Sequence, residues 1–246
     1  MKTRLNISLL FLFALAFNTA FSQDKEFRIS HAVEVDYSFN FPFADLKANY
    51  GNHSEIGFRY RYYKRKWVLN AHANFLFGDQ VNDTTLFDNI TSSEGELLDL
   101  NGQFADVRVY ERGGNFSAGI GYKWTSFGDL HLYSELNVGY LLHKTRIETI
   151  GNSLPNLTKE YKRGYDQLSG GLLMRKYLGF HYIGDHHLVN FTFGVTYNYA
   201  QTKLLRSYDY KSGQFISRTN NDQYFGIQVG WIVPFYKAPA EKAFVF

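Results

Sequence analysis

The sequence predicts an all-β fold, a closed antiparallel transmembrane β-barrel of eight strands. Three observations lead to this prediction. The chain starts with an export signal, the following residues alternate between apolar and polar side chains, and the connections between alternating segments are short and long in turn. Alternation with a period of two is typical of strands that have two different faces.

The first 22 residues have the features of a secretory signal peptide. Lys2 and Arg4 make the start basic, residues 7–17 form a short apolar run, and Ala20 and Ser22 provide small residues before Gln23. This apolar run is too short to cross a membrane as a helix. The predicted organisation is therefore a signal peptide at 1–22, an outer-membrane barrel at 23–236 and a C-terminal tail at 237–246.

Eight segments show strand periodicity. They are residues 29–39, 55–63, 67–77, 116–124, 130–143, 166–183, 188–199 and 223–235, and strand character at 104–110 suggests an earlier start for the fourth. Four of them have 9–11 residues and the other four have 12–18, so each is long enough for a tilted strand to cross a bilayer. Because backbone groups inside lipid must all be paired, such strands have to close into a barrel.

The lengths of the connections between these segments also support this interpretation. The links at 64–66, 125–129 and 184–187 are short, whereas those at 40–54, 78–115, 144–165 and 200–222 are long. Outer-membrane barrels have short periplasmic turns and longer outward loops.

Composition excludes several classes of protein. Removal of Lys2 and Arg4 lowers the formal charge from +3 to +1, which provides no basic surface for nucleic acid. The absence of cysteine excludes disulfides, thiolate metal sites and a lipoprotein anchor. Aromatic residues make up 18% of the chain, a level that suits the aromatic girdles of a barrel. The alternative to a membrane barrel is a secreted soluble β-sandwich, which would also show alternating strands.

The polar face of the strands predicts a charge network in the lumen, because eight strands enclose only enough space for side chains. Its expected members are Glu34, Asp36, Glu55, Arg59, Arg61, His72, Lys123 and Glu135. Charges buried in this way need partners. The network either plugs the barrel or acts as a proton or ion relay, and the sequence favours the plug.

Two loops are candidate contact surfaces. The third long loop and its flanks carry cations that could contact lipopolysaccharide phosphates or a partner, namely Lys144, Arg146, Lys159, Lys162 and Arg163. The second carries apolar residues that form either a partner surface or a cap over the barrel mouth, namely Leu86, Phe87, Ile90, Leu97, Leu98 and Leu100.

No motif for catalysis or for a cofactor stands out. The chain contains neither a GxGxxG motif nor a P-loop, and its histidines lack metal-ligand spacing. Some outer-membrane barrels modify lipids with a His–Ser pair, and His143 with Ser153 or Ser169 is the arrangement to consider here. We expect no enzyme, no cofactor and no metal.

The chain resembles a family of outer-membrane β-barrel proteins of Bacteroidota. The resemblance is carried by the Ser22–Gln23 junction and by residues 75–78, 111–113, 142–148, 151–155, 161–166 and 230–237. It implies an outer-membrane location and no known enzymatic activity. Similar small barrels include components of multi-protein machines such as the type IX secretion apparatus. The chain departs from the usual pattern because residues 237–246 follow its last strand.

These observations predict a structural or accessory subunit of an outer-membrane assembly, with lipid, lipopolysaccharide and other envelope proteins as partners. The alternatives are a transport or ligand-binding barrel and a lipid-modifying enzyme.

Overall fold

The computed structural model describes residues 29–92, 96–99, 101–150, 154, 157–184, 189–206 and 208–236. Its eight strands are β1 (Ile29–Phe43), β2 (His53–Lys64), β3 (Trp67–Gly78), β4 (Asp106–Phe127), β5 (Leu130–Ile150), β6 (Ser169–Ile183), β7 (Asn190–Leu204) and β8 (Thr219–Tyr236). Two short helices lie in the long loops, α1 (Ala44–Asn49) and α2 (Lys159–Tyr165).

The strands form one closed antiparallel ring in chain order, and β1 pairs with β8 to complete it. This seam runs from Ile29 opposite Tyr236 to Phe43 opposite Gln223. The prediction of an all-β, eight-stranded closed barrel is confirmed. Closure removes both free edges, so through the middle of the barrel the backbone groups of each strand have a partner strand on each side.

Short turns and long loops lie at opposite ends of the ring. Two-residue connections, Arg65-Lys66 and Gly128-Asp129, join β2 to β3 and β4 to β5. Arg65 and Gly128 both adopt positive φ, as the first residue of a tight hairpin often does. We call the two ends of the barrel the short-turn end and the long-loop end.

Seven of the eight strands extend further towards the long-loop end than periodicity predicts, whereas β6 begins at Ser169, three residues later than the predicted start at 166. β4 has 22 residues and β5 has 21, about twice what a membrane crossing needs. Gly113 and Gly114 interrupt the apolar pattern of β4, and charged residues at 144–148 obscure it in β5. The extended parts of β4 and β5 nevertheless pair with each other without a break, from Gly113 opposite His143 to Asp106 opposite Ile150.

The two faces of the ring differ sharply in polarity. Inward side chains are mostly polar and buried, whereas the outward side chains of the middle of the barrel are mostly apolar and exposed. One exposed example from each strand, in order, is Val35, Phe58, Leu69, Phe116, Val138, Leu178, Phe193 and Val229. A polar interior inside an apolar outer wall is the reverse of the arrangement in a water-soluble barrel.

Among the residues that the structure describes, no helix has the length and apolar character needed to cross a membrane. The predicted signal peptide and C-terminal tail lie outside the described residues and stay predictions.

Closure at the seam can be tested by disulfide formation, since the chain has no cysteine of its own. Val33 and Val233 are direct partners across the seam, and antiparallel partners have Cα separations of about 4.5–5.5 Å, within disulfide range. We expect Val33→Cys combined with Val233→Cys to oxidise to an intramolecular disulfide, visible as a mobility shift in denaturing gels.

The matched control combines Val33→Cys with Ile227→Cys. Ile227 lies opposite Phe39, six residues further along β1, or about 20 Å away. Equal oxidation of both pairs would contradict the register of the seam.

Candidate functional site

The most distinctive feature of the interior is a network of buried charges. All eight side chains predicted for the lumen lie inside the barrel and are almost fully buried: Glu34, Asp36, Glu55, Arg59, Arg61, His72, Lys123 and Glu135. Seven of them are joined to one another directly or through shared partners, as described below. Lys123 lies opposite Tyr133, nearer the short-turn end.

Two arginines of β2 form the centre of the network. Arg59 donates from Nη1 to Glu135 Oε2 at 3.2 Å and from Nη2 to Gln228 Oε1 at 3.3 Å. Arg61 donates from Nε to Glu135 Oε1 at 3.0 Å and forms an ion pair with Glu34. The network therefore joins strands on opposite sides of the ring.

A third arginine, Arg175 of β6, completes the network. Its guanidinium contacts Glu55 Oε2 at 3.0 Å and Gln228 Oε1 at 2.8 Å. Glu55 also accepts from Asn115 at 3.0 Å and from the Tyr224 hydroxyl at 2.8 Å. Arg175 was not predicted from the sequence because it adjoins Lys176, although it shares the inward alternation of Leu173 and Tyr177.

The fourth carboxylate, Asp36, is held by His72. Asp36 Oδ2 lies 2.9 Å from His72 Nε2 and 3.7 Å from Arg59 Nη2. Gly57 makes this contact possible, because a Cβ at that position would lie 2.6 Å from Asp36 Oδ1 and would also overlap His72 and Asn74. Glycine is therefore required by close packing at this point of the lumen.

Apolar layers close the lumen on both sides of the charges. Inward positions along β3 run from Val68 through Asn70, His72 and Asn74 to Leu76. The layer at the short-turn end consists of Ala32, Tyr63, Val68, Tyr133 and Ile232. The layer at the long-loop end consists of Leu46, Tyr50, Leu76, Leu141, Leu173, Ala200 and Tyr224. Leu46 comes from α1, so the first long loop helps to seal the mouth.

A polar pocket lies above the second layer, at the mouth of the barrel. His143 Nε2 lies 2.9 Å from Asp222 Oδ2, which also accepts from the Thr202 hydroxyl at 2.5 Å. A cavity of about 250 Å³ is lined by His143, Tyr50 and other polar side chains of the mouth. His143 Nδ1 is buried and has no hydrogen-bond partner among the described residues.

The structure brings Ser169 next to His143 but not into a catalytic arrangement. The two residues are register partners on β5 and β6. The Ser169 hydroxyl donates its proton to the Gln167 carbonyl at 3.0 Å and not to the His143 ring, as activation by that ring would require. Ser153 lies outside the described residues.

Most of the apolar residues of the second loop are used in packing within the protein. Phe87, Ile90 and Leu97 pack on a cluster that includes Ile147 and Tyr165, and Leu86 is 2% exposed. This packing favours the alternative, in which the loop caps the barrel mouth, and the partner surface stays a prediction. Leu98 is 41% exposed, and Leu100 lies outside the described residues.

Ion pairs tie the loops together. Lys211 Nζ contacts both carboxylate oxygens of Asp83 at 2.7 Å, and the Arg206 guanidinium contacts Asp166 at 2.7 and 3.0 Å. Burial raises the pKa of Asp83, but the Lys211 hydrogen bond and the bonds from Thr85 outweigh it and leave that pKa below its ordinary value. The loops form one connected structure at the mouth.

Four of the five predicted cations, Lys144, Arg146, Lys162 and Arg163, lie on the outer side of this structure, and the side chain of Lys159 is outside the described part. Lys144 lies 3.8 Å from Asp166, Arg146 lies 2.7 Å from Glu148, and Lys162 donates to Thr149 at 3.0 Å. Arg163 is exposed on α2, where Lys159 is the first residue. Arg112, which was not among the predicted cations, lies beside Lys144 in the register of β4 and β5.

Within the described part of the chain, no group of three His, Cys, Asp or Glu side chains is placed to hold a metal ion.

Comparison with known proteins gives similarity at the level of general shape. No family model and no curated protein matches the chain. Neisserial surface protein A is 12% identical, with a TM-score of 0.49 over 83% of this chain and 97% of that one. Ail, the attachment invasion locus protein of Yersinia pestis, is 12% identical, with a TM-score of 0.42 over 84% and 99%. A major outer membrane protein of Thermus thermophilus is 10% identical, with a TM-score of 0.44 over 84% and 100%. The fold assignment rests on the strand pairing and not on these similarities.

The network predicts a large stability cost when one charge is removed. We expect Arg175→Met to destabilise the barrel by about 3 kcal/mol, because it leaves Glu55 buried without its cation. Urea unfolding of the purified barrel in lipid vesicles, followed by tryptophan fluorescence, measures this cost.

Arg108→Met is the matched control, since the Arg108 side chain is 57% exposed and its one ion pair, with Asp106, is at 3.5 Å. Combining Arg175→Met with Glu55→Gln should recover part of the loss. Equal stability of the Arg175 and Arg108 variants would show that the buried pair contributes nothing.

Proposed function

We propose that this chain is an integral outer-membrane β-barrel that acts as a structural or accessory subunit of an outer-membrane protein assembly. The observation that carries the proposal is the contrast between the filled lumen and the exposed exterior. A lumen packed with paired charges and closed by two apolar layers offers no route for a solute. The chemistry that remains available lies on the outer wall and on the long loops.

The outer wall supports placement in a membrane. Its outward side chains are predominantly apolar through the middle of the barrel, with Lys176 of β6 as the charged exception, and aromatic rings such as Trp67, Trp124 and Trp231 lie towards the short-turn end. A closed barrel is the β-structure that satisfies its backbone groups in lipid. The predicted signal peptide supports export, and the resemblance to barrels of Bacteroidota supports secretion or envelope machinery of that group.

Cations at the outer rim support contact with lipopolysaccharide. On β5, the outward residue after the apolar Tyr140 and Leu142 is Lys144, and Arg112 is its neighbour on β4. Arg112 Nη1 donates to the carbonyls of Gly78 and Glu111, at 3.0 and 2.7 Å, which leaves the rest of the guanidinium to bind an anion. Guanidinium and ammonium groups at this depth suit the phosphates of the outer leaflet.

A row of exposed aromatic rings supports binding of a protein partner at the long-loop end. We define the aromatic row as Tyr161, Tyr208, Tyr210 and Phe215. The ring centroids of Tyr208 and Tyr210 are 5.4 Å apart, and those of Tyr208 and Phe215 are 5.1 Å apart. Phe215 is 79% exposed. Exposed, mutually supported aromatic side chains are typical of the centres of protein interfaces.

The proposal predicts that the aromatic row holds the partner. We expect Tyr208→Ser combined with Phe215→Ser to reduce partner recovery at least tenfold when the tagged protein is isolated from native membranes in mild detergent. Mass spectrometry of proteins recovered at equal stoichiometry measures this. Phe104→Ser is the control, because Phe104 is 70% exposed but lies outside the row.

Isolation of the unaltered protein without a stoichiometric partner would overturn the subunit proposal. Unchanged recovery with the double variant would move the contact away from the aromatic row.

A second candidate function is binding of a small hydroxylated molecule in the mouth pocket. The observation that favours it is the unpartnered Nδ1 of His143 within the described part of the chain. Because the Asp222 carboxylate accepts the proton of Nε2, Nδ1 of the neutral ring is an acceptor, which suits a ligand hydroxyl. The pocket of about 250 Å³ has room for roughly eight waters or one sugar ring.

Isothermal titration of the purified barrel with D-glucose and with N-acetylglucosamine tests this second function. We expect His143→Asn to weaken binding at least tenfold, with folding checked by the gel shift between heated and unheated samples. The absence of binding heat for both sugars would dismiss it.

The arrangement of Ser169 and His143 gives little support to an enzymatic function. Ser169 donates its hydroxyl proton to a backbone carbonyl and not to His143, and we infer that the chain does not use this pair for catalysis.

A further inference from the structure

One charged residue interrupts the apolar outer wall. Apart from Lys176, the outward positions of the wall carry apolar, aromatic, glycine or serine residues. These positions lie, from β1 to β8, within residues 33–41, 56–62, 67–77, 116–124, 132–142, 170–182, 191–199 and 225–235. Lys176 is exposed on β6, and its neighbour Arg175 points into the lumen. Lys176 has no acidic partner among the described residues.

Lys176 lies near the middle of the wall and not at its rim. Leu178 and Phe180 follow it towards the short-turn end, and Met174 and Leu172 precede it towards the long-loop end. Six residues separate it from either end of this outward series, which is about 20 Å along the strand. With a tilt of about 40° this corresponds to roughly 15 Å of height on each side.

The ammonium group therefore cannot easily reach water along the wall. A lysine side chain has a four-carbon stem, which covers only part of that height. A charge on the lipid face of a barrel is least favourable at the midplane of the bilayer. Ionisable residues at this depth normally have a partner and a function.

The surroundings of Lys176 form a shallow cleft that could receive a partner. A cleft of about 540 Å³ on this side of the barrel is lined by Leu136 of β5, Leu178 of β6, and Val195 and Tyr197 of β7, together with Lys176 itself. Leu136 and Tyr197 are the direct neighbours of Lys176 across the two adjacent strands. The cation is thus surrounded by apolar side chains that favour a dehydrated contact.

We propose that the β5–β6–β7 wall is an interface within the membrane, at which Lys176 pairs with a carboxylate of a different integral outer-membrane protein. Charge complementarity requires an acid from the occupant of the cleft. The outer wall of a second copy, over the outward positions defined above, does not supply one, because those positions contain no Asp or Glu. Glu135 also borders the cleft, but its carboxylate is buried in the lumen, where it pairs with Arg59 and Arg61. This inference rests on the proposed role as an assembly subunit and identifies a second contact for it.

A hydrophobic carbodiimide tests the pairing directly. Dicyclohexylcarbodiimide enters membranes and activates a carboxylate, the nearby lysine amine then forms an amide, and the carboxylate oxygen leaves in the urea. Treatment of native membranes followed by mass spectrometry should identify a cross-linked peptide that joins Lys176 to an Asp or Glu of an outer-membrane protein. Loss of that peptide is expected in Lys176→Met and not in Lys203→Met, which alters a lysine of β7 beyond the apolar wall.

Recovery of the partner in mild detergent provides the second measurement. We expect Lys176→Met to reduce it at least tenfold and Lys176→Arg to retain it, because arginine keeps the charge. Removal of a charge from the lipid face should leave folding intact, and the gel shift between heated and unheated samples checks this.

The outcomes separate this inference from the proposal on which it rests. Partner recovery that is unchanged in Lys176→Met, without a cross-link at residue 176, would overturn the inference and leave the subunit role in place. That result would assign Lys176 to lipid alone. Recovery of no partner with any form of the protein would overturn the subunit role and the inference together.

Discussion

The interior of this barrel depends on the pairing of three arginines with four carboxylates. Arg59 and Arg61 reach across from β2 to Glu135 on β5, and Arg175 reaches from β6 to Glu55 on β2. Each contact joins strands that are not neighbours in the ring. A ring of eight strands is wide enough to need such cross-links and narrow enough for side chains to make them. If one charge is removed, the remaining charges are left buried in a region that water does not solvate.

The two apolar layers determine what the network can do. A charged lumen open to water would exchange ions and solvent with both sides of a membrane. Here Tyr133 and its neighbours close one side, and Tyr224 and its neighbours close the other. The Tyr224 hydroxyl also donates to Glu55, so the upper layer is tied to the charges below it. The interior therefore stabilises the ring, and the surfaces available for recognition are the loops, the rim and the outer wall.

Much of this architecture could be predicted from periodicity, because alternation along a strand directly reports which side chains share a face. Glu34, Arg59 and Glu135 could be placed in the lumen on this ground alone. Arg175 could not, because Lys176 follows it and a pair of adjacent cations hides the alternation. The packing of Leu86 and Phe87 could not be predicted either. A loop has no periodicity, and the packing of this loop depends on Ile147 and Tyr165, which are distant in the sequence. The pairing of His143 with Asp222 joins residues 79 positions apart, and nothing in the local sequence indicates it.

The seam between β1 and β8 has a consequence for the order in which the chain acquires its structure. These strands are nearly 200 residues apart, whereas most other pairs are joined by a hairpin or a single loop. Contacts between distant parts of a chain form slowly, because the entropy of closing a long loop must be lost first. Until the seam forms, β1 and β8 each present an unpaired edge, and Glu34 lacks its bond from Thr192 and its contact with Gln228. An incomplete sheet of this kind would attract other strands, so we expect the cell to shield it during biogenesis until the ring has closed.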